Sequence, residues 1–220
     1  MGVTAVRVLQ PSEAGAATDV LTRGFDQEPA KVALLPEPEL RQAVLRMSAR
    51  NRLYDALRRG TAHAALVDNR LAAVAVWVPP GVPAVSVRGV VQAAGRLLSG
   101  LAVARSALPR IVSVLRADVR SLVALARGRS HAVSRASKGQ TWNLALIASA
   151  PEHRGQGLAR ALLDRQLGRC DEDLAAVWLE TTDPVNVAIY ERFGFVTVAH
   201  MEGPAWLPGL WVMHRDPTDA

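Results

Sequence analysis

Residues 150–165 read APEHRGQGLARALLDR, and they carry an apolar run into a helical pattern across two glycines, Gly155 and Gly157. Glycine at a helix start costs propensity, so two of them signal a left-handed dihedral or a close backbone approach. The preceding TWNLALIAS (141–149) is apolar and of strand length, and the following GLARALLDRQLGR has an amphipathic helical pattern. A strand, a glycine turn and a helix start aim unpaired N–H groups and the positive helix end at one point, which suits a phosphate. A plain strand-to-helix turn fits the same two glycines, and both readings stay open on this stretch alone. No Gly-Lys-Ser/Thr follows, so the loop is not a Walker A loop. The spacing also differs from GxGxxG, and the strand comes late in the chain.

Outward from this stretch the pattern is α/β. LAAVWLETT is a second buried strand, PVNVAIYERF a short helix, and FVTVAHM and LWVMHR closing strands, with a crossover between parallel strands through the helix after Gly157. Towards the N-terminus, AVRVLQ alternates as a strand up to Pro11. Ser12 is then the expected N-cap of a helix running to about Gly24, with Glu13 in its first turn. A further helix covers PEPELRQAVLRMSARNRLYDALRRG and closes at Gly60, and AHAALVD and LAAVAVWVP form a hairpin about Asp68-Asn69-Arg70.

The 220 residues, half of them hydrophobic, are enough for one domain with a buried core. Net charge is +6, but residues 84–138 hold ten cations against the single acid Asp118, a local +9, and the rest of the chain is −3. That segment reads as two or three helices, with apolar stripes at Val90, Val91, Ala94, Leu97, Leu98 and Leu101 and at Ile111, Val114, Leu115, Leu122 and Leu125. It is expected as a basic helical insertion between the third and fourth strands. Cys170 is the only cysteine, which excludes an intramolecular disulfide and a thiolate cluster, and the five histidines lack metal-ligand spacing. No metal is expected. Apolar runs such as LLSGLAVA are cut by Arg96 and Arg105, so no membrane span is expected. The N-terminus lacks a signal-peptide layout, and a cytoplasmic setting is expected.

The run Arg154-Gly155-Gln156-Gly157-Leu158-Ala159, with Pro151 before it, resembles R/Q-x-x-G-x-G/A, the acyl-CoA pyrophosphate loop of the GNAT superfamily of N-acetyltransferases. About thirty residues on, NVAIYERFGF resembles that superfamily's second signature, a short helix carrying Asn and Tyr before a Gly-Phe turn. VAVWVPPG and LPGLWVMHR are similar to the branch that includes puromycin N-acetyltransferase. The resemblance covers the strand order from AVRVLQ to LWVMHR apart from the basic segment. It implies the GNAT acyl-CoA N-acyltransferase fold over 1–220, a mixed central sheet flanked by helices, α/β (α+β) in class. It also implies acetyl-CoA as co-substrate, and dimers are frequent among such proteins.

Acetyl transfer from a thioester to an amine requires that CoA be held, the carbonyl polarised and two protons moved. The resemblance assigns the first task to the backbone of Ile147, Ala148 and Ser149, which would pair with pantetheine, and to the turn from Arg154 through Gly155, Gln156, Gly157, Leu158 and Ala159 to Arg160. A splayed strand at Ser149 would offer an amide to the thioester oxygen, although Ser149 departs from the common Val. A leaving thiolate with a pKa near 8.5 is matched by a phenol near 10, and the motif places Tyr190 there. Asn186, one helical turn earlier, shares its face and would cap the helix or bind pantetheine. Tyr190 also fits as a packing residue beside Phe193 and Phe195. Glu180 is the best-placed base by sequence, with Asp183 and His153 next and a water chain as the alternative. Trp142 and Trp77 either line the acceptor pocket or belong to the core.

Two functions follow. One is an acetyl-CoA-dependent N-acetyltransferase for a primary amine of a small molecule, an amine-bearing antibiotic among the candidates. The other is a non-catalytic module that binds acyl-CoA, or holds nucleic acid or an acidic partner through 84–138. A solvated face over the acceptor site is the simpler reading of that segment, and no aromatic interleaves its arginines as a single-strand platform would need.

Overall fold

The computed structural model describes residues 5–82, 128–129, 131–132, 134–135, 140–203 and 209–218. The helices expected within 84–138 therefore lie, but for a few residues at their end, outside the described residues. The elements run β1 (Ala5–Val8), α1 (Ala14–Phe25), α2 (Pro29–Leu34), α3 (Pro38–Arg59), β2 (Ala62–Val67), β3 (Arg70–Val78), β4 (Thr141–Ser149), α4 (Leu158–Glu172), β5 (Ala176–Thr181), α5 (Pro184–Glu191), β6 (Val196–Met201) and β7 (Leu210–Arg215). The helix α2 is absent from the sequence reading, because six residues are too few for a helical period to show.

The entry into α1 differs from expectation. Pro11–Glu13 form a 3-10 turn, so Ser12 does not cap the helix. Glu13 instead accepts the Gln10 N–H at 2.9 Å and takes the Arg7 guanidinium on both oxygens at 2.8 Å. A carboxylate held by two charge-assisted bonds outcompetes a neutral hydroxyl at this corner. Gly60 ends α3 with φ +67, and Asp68 and Asn69 turn the β2–β3 hairpin with φ of +48 and +60, the left-handed pair that a two-residue hairpin requires.

Seven strands form one sheet in the order β1-β2-β3-β4-β5-β7-β6. β4 and β5 are parallel and joined through α4, while the other neighbours are antiparallel. Strand alternation divides two cores. On β3, Ala73, Ala75 and Trp77 face a layer containing Leu158, Leu162, Leu163 and Leu167 of α4. Val74 and Val76 face Val20 and Leu21 of α1 and Leu53 of α3. The alanines of β2 and β3 leave room for both helix layers to seat closely on the sheet. Each buried leucine of α4 contributes roughly 1.5–3 kcal/mol, so the stripe easily outweighs the roughly 0.5–1 kcal/mol that a glycine costs at the helix start. Among the described residues no helix is long and apolar enough to cross a membrane.

Two ionisable groups tie the fold to pH. Arg215 donates to both Asp171 oxygens at 2.7 and 2.8 Å and to the Phe193 carbonyl at 2.9 Å, fastening β7 to the end of α4 and to the turn after α5. This holds the Asp171 carboxyl at about 2. His63 on β2 is buried, and its Nδ1 has no hydrogen-bond partner among the described residues. Burial, with Arg165 and Arg169 nearby, lowers it to about 4. A depressed folded-state pKa means that the unfolded chain takes the proton first as pH falls. Stability is therefore expected to be full above pH 6.5 and to drop by about 3 kcal/mol on acidification to pH 4. A further loss of about 2 kcal/mol is expected from pH 3.8 towards 2 as Asp171 titrates. Urea unfolding at a series of pH values checks both steps, and His63→Gln should flatten only the first.

Candidate active site

The parallel ladder between β4 and β5 runs from Thr141↔Ala176 to Leu144↔Leu179 and then stops. β4 continues to Ser149 against β3 alone, while β5 continues to Thr181 against β7. The strands part at this point, and the backbone edge of β4 from Ala145 to Ser149 has no strand beside it. A bulge marks the same place. Val76 faces Leu146 and Trp77 faces Leu144, which leaves Ala145 as the extra residue that bends β4 away. Asn143, buried at the base of the fork, donates to the Trp178 carbonyl at 3.2 Å and ties the strands together before they separate. The fork opens into a cleft of about 1000 Å³.

One wall of the cleft is the glycine turn. Gly155 and Gly157 have φ of +75 and +77, so the dihedral accounts for both glycines, and no atom stands within 4 Å of where a Cβ would sit. Gly157 is the N-cap of α4, and the N–H groups of Leu158, Ala159 and Arg160 have no acceptor within the helix. Two polar atoms of this loop, His153 Nδ1 and Gln156 Oε1, are buried without a partner among the described residues. The loop is pinned to the end of α1. Arg154 donates to the Gly24 carbonyl at 2.9 Å, and Glu152 pairs with Arg23 at 2.9 Å. Arg160 pairs with Asp164 one turn along α4 and stays solvent-exposed. The turn thus has an open, donor-rich face with room for a diphosphate, and its fit to one rests on the free amides and the open space above both glycines.

The opposite wall is α5. Asp183 caps it by accepting the Val185 N–H at 2.9 Å, so the capping role considered for Asn186 belongs to Asp183. Asn186, Ile189 and Tyr190 line the cleft. Tyr190 is buried, edge-on to Phe195 at 5.8 Å, and belongs to the α4-side core. It therefore packs and faces the cleft at once. Burial first, and the nearby Glu28 second, push its phenol well above the usual range. Such a phenol stays protonated throughout the neutral range and keeps its O–H as a donor.

The third wall lies on the other face of the sheet, under α1, α2 and α3. Glu180 projects there and carries an ion pair with Arg129 of the basic segment. Nη2 of Arg129 donates to Oε2 at 2.8 Å, while Nε stands 2.7 Å from Oε1 out of hydrogen-bond alignment. Trp178 packs with Ala132 of the same segment. Glu28, which the sequence reading passed over, lines the cleft from the α1–α2 turn, accepts the Thr182 hydroxyl at 2.5 Å and pairs with Lys31 at 3.3 Å. Neither tryptophan proposed for the acceptor pocket is among the residues lining the cleft. Trp77 is fully buried and Trp142 packs against the α4-side core, because both alternate onto that face. Ile147, Ala148 and Ser149 line the cleft along with the turn from Arg154 to Arg160, except Gln156. Asn143 and Gly24 were invisible to sequence patterns, since their roles come from partners far along the chain.

With this geometry in place, the family model of an Acetyltransferase (GNAT) domain matches residues 132–198. The fold is that of the GNAT acetyltransferases. Similar solved structures include a histone acetyltransferase HPA2 and related acetyltransferase from Corynebacterium glutamicum, with 19% identity, 100% of this chain and 99% of that chain covered, and a TM-score of 0.64. A polyamine N-acetyltransferase of Drosophila melanogaster that forms N-acetylagmatine has 16% identity, with 96% and 99% covered and a TM-score of 0.64. A PaiA N-acetyltransferase from Thermoplasma acidophilum, solved with coenzyme A, has 10% identity, with 98% and 99% covered and a TM-score of 0.55. The expected mixed sheet flanked by helices is the observed one. Among the described residues no group of His, Cys, Asp and Glu is placed to hold a metal.

Gly24 links the fold to the site. A Cβ there would meet the Ala148 Cβ at 2.6 Å and the Ser149 carbonyl oxygen at 3.2 Å. Gly24→Ala is therefore expected to push α1 off β4 and to cost about 1–3 kcal/mol in urea unfolding. Gly15→Ala in the same helix, where nothing lies within 4 Å, is expected to be neutral or to add up to ~1 kcal/mol.

Proposed function

We propose that this protein transfers an acetyl group from acetyl-CoA to a primary amine of a small molecule by direct attack within a ternary complex. The fork between β4 and β5 is the observation that carries the reading. It leaves a free strand edge at Ala145–Ser149 leading to the donor-rich turn at Gly155–Arg160, a continuous track for pantetheine and its diphosphate. Ile147, Ala148 and Ser149 would hold the pantetheine amides, and a β4 amide near the bulge would donate to the thioester oxygen as it gains charge. The amides of Leu158, Ala159 and Arg160, with the helix dipole, would hold the diphosphate, and Asn186 would reach pantetheine from α5.

Tyr190 is the proton donor in this reading. The amine nitrogen bonds to the carbonyl carbon, the carbon–sulfur bond breaks, and Tyr190 hydrogen-bonds to and protonates the departing sulfur. Its raised pKa makes the hydrogen bond to the developing thiolate the larger part of this role, since full proton transfer to a thiol of pKa near 8.5 runs uphill. The attacking nitrogen must give up a proton as well. Glu180 was the first candidate to receive it, with Asp183 and His153 behind it. The ion pair with Arg129 occupies Glu180 and Asp183 is committed to its cap, which favours water through the cleft as the acceptor.

The likeness of VAVWVPPG and LPGLWVMHR to the puromycin N-acetyltransferase branch is the ground for including amine-bearing antibiotics among the acceptors tested. A cytoplasmic setting belongs to the same proposal, and Cys170 is a lone buried thiol that burial pushes up to about 11 and leaves inert. The test is thiol release from acetyl-CoA with a panel of aminoglycosides, puromycin, polyamines and peptide N-termini. Tyr190→Phe is expected to lower kcat by about 100-fold or more while leaving the CoA dissociation constant within error. No thiol release with any amine despite tight CoA binding would show a non-catalytic acyl-CoA module instead.

A further inference from the structure

The acceptor wall carries charges that do not suit a purely cationic amine. Among the described residues the acids that line the cleft are Glu28, Glu180 and Asp183; Glu28 pairs with Lys31, Glu180 with Arg129, and Asp183 caps α5. Arg52, on the cleft-facing side of α3, lines the same cleft and has no ion pair of its own among the described residues. It lies within electrostatic reach of both Glu180 and Arg129. Arg52 is therefore a cleft-lining guanidinium with no carboxylate paired to it among the described residues. A polyamine would bring a second positive charge beside an unpaired guanidinium. An acceptor with a carboxylate would instead supply the missing partner.

We infer that the acceptor is an amine that also carries a carboxylate, which the Arg52 guanidinium binds at the rim of the cleft while the amine reaches the fork between β4 and β5. The inference rests on the acetyl-transfer reading and narrows its substrate class. Arg52 is a positioning residue for the acceptor, and the Arg129–Glu180 pair leaves Arg52 as the cation of this side that a carboxylate can take. A guanidinium offers two parallel N–H bonds to a carboxylate, which favours a fixed distance between the two ends of the acceptor.

The test uses three amines of one length, 5-aminopentanoate, pentylamine and 1,5-diaminopentane, with glycylglycine to separate a peptide carboxylate from that of a free amino acid. The full-length protein should show kcat/KM in the order carboxylate, neutral, cation, with a span of about ten-fold or more from first to last. The loss should fall mainly on KM. Arg52→Gln should collapse that span, Arg52→Glu should invert it, and Arg52→Lys should restore most of it. A wild-type preference for the diamine, or a span untouched by Arg52→Gln, overturns the inference. Calorimetry of the CoA-loaded protein with 5-aminopentanoate reads the same interaction without turnover. Heat that disappears in Arg52→Gln supports the carboxylate site even where no amine is acetylated, and its absence from the wild-type protein overturns the site. Absence of thiol release with every amine overturns the transfer reading alone.

Discussion

The end of the β4–β5 ladder at Leu144 and Leu179 is the constraint on which the rest of this molecule depends. Backbone donors and acceptors buried in a sheet must be paired, and at this point two neighbouring strands stop pairing with each other. The fold tolerates the break because the opening faces a cleft, where water or a ligand can satisfy the edge of β4. The bulge at Ala145 bends the strand away, and Asn143 keeps the fork from opening further back. A fully zipped parallel pair would be more regular and would have no site.

Everything chemical is arranged about that fork. The helix α4 begins where β4 ends, so its free amides lie in line with the open strand edge, and its leucine stripe anchors it to the sheet. The helix α5 begins where β5 ends and brings Asn186 and Tyr190 to the other side. The burial that anchors Tyr190 in the core also holds its proton, so packing and chemistry have one physical origin. On the far face, α1, α2, α3 and the end of the basic segment close a wall of paired charges, and Arg52 stands at its rim.

Much of this was legible in the chain because it is local. The strand–glycine–helix stretch at 150–165, the hairpin at Asp68-Asn69 and the stop at Gly60 each follow from a few adjacent residues whose dihedrals or period have one economical solution. Where the chain pointed elsewhere or left alternatives open, competition between nearby groups or strand pairing settled the matter. Ser12 lost its cap to Glu13 because Arg7 holds that carboxylate. Asn186 is not the cap because Asp183 precedes it with a free carboxylate. Trp77 and Trp142 turned to the core because strand alternation, fixed by pairing, sent them there.

The amino-acid sequence by itself determined the order of the strands and longer helices, the glycine turn before α4 and the concentration of positive charge in one segment, since these depend on neighbours along the chain. Tertiary structure alone decided where β4 leaves β5, that Gly24 must be small, that Arg129 engages Glu180, and that Glu28 and Tyr190 line one cleft. Those facts join residues tens to more than a hundred positions apart. Distance along a chain carries no information about such contacts until packing fixes which faces meet.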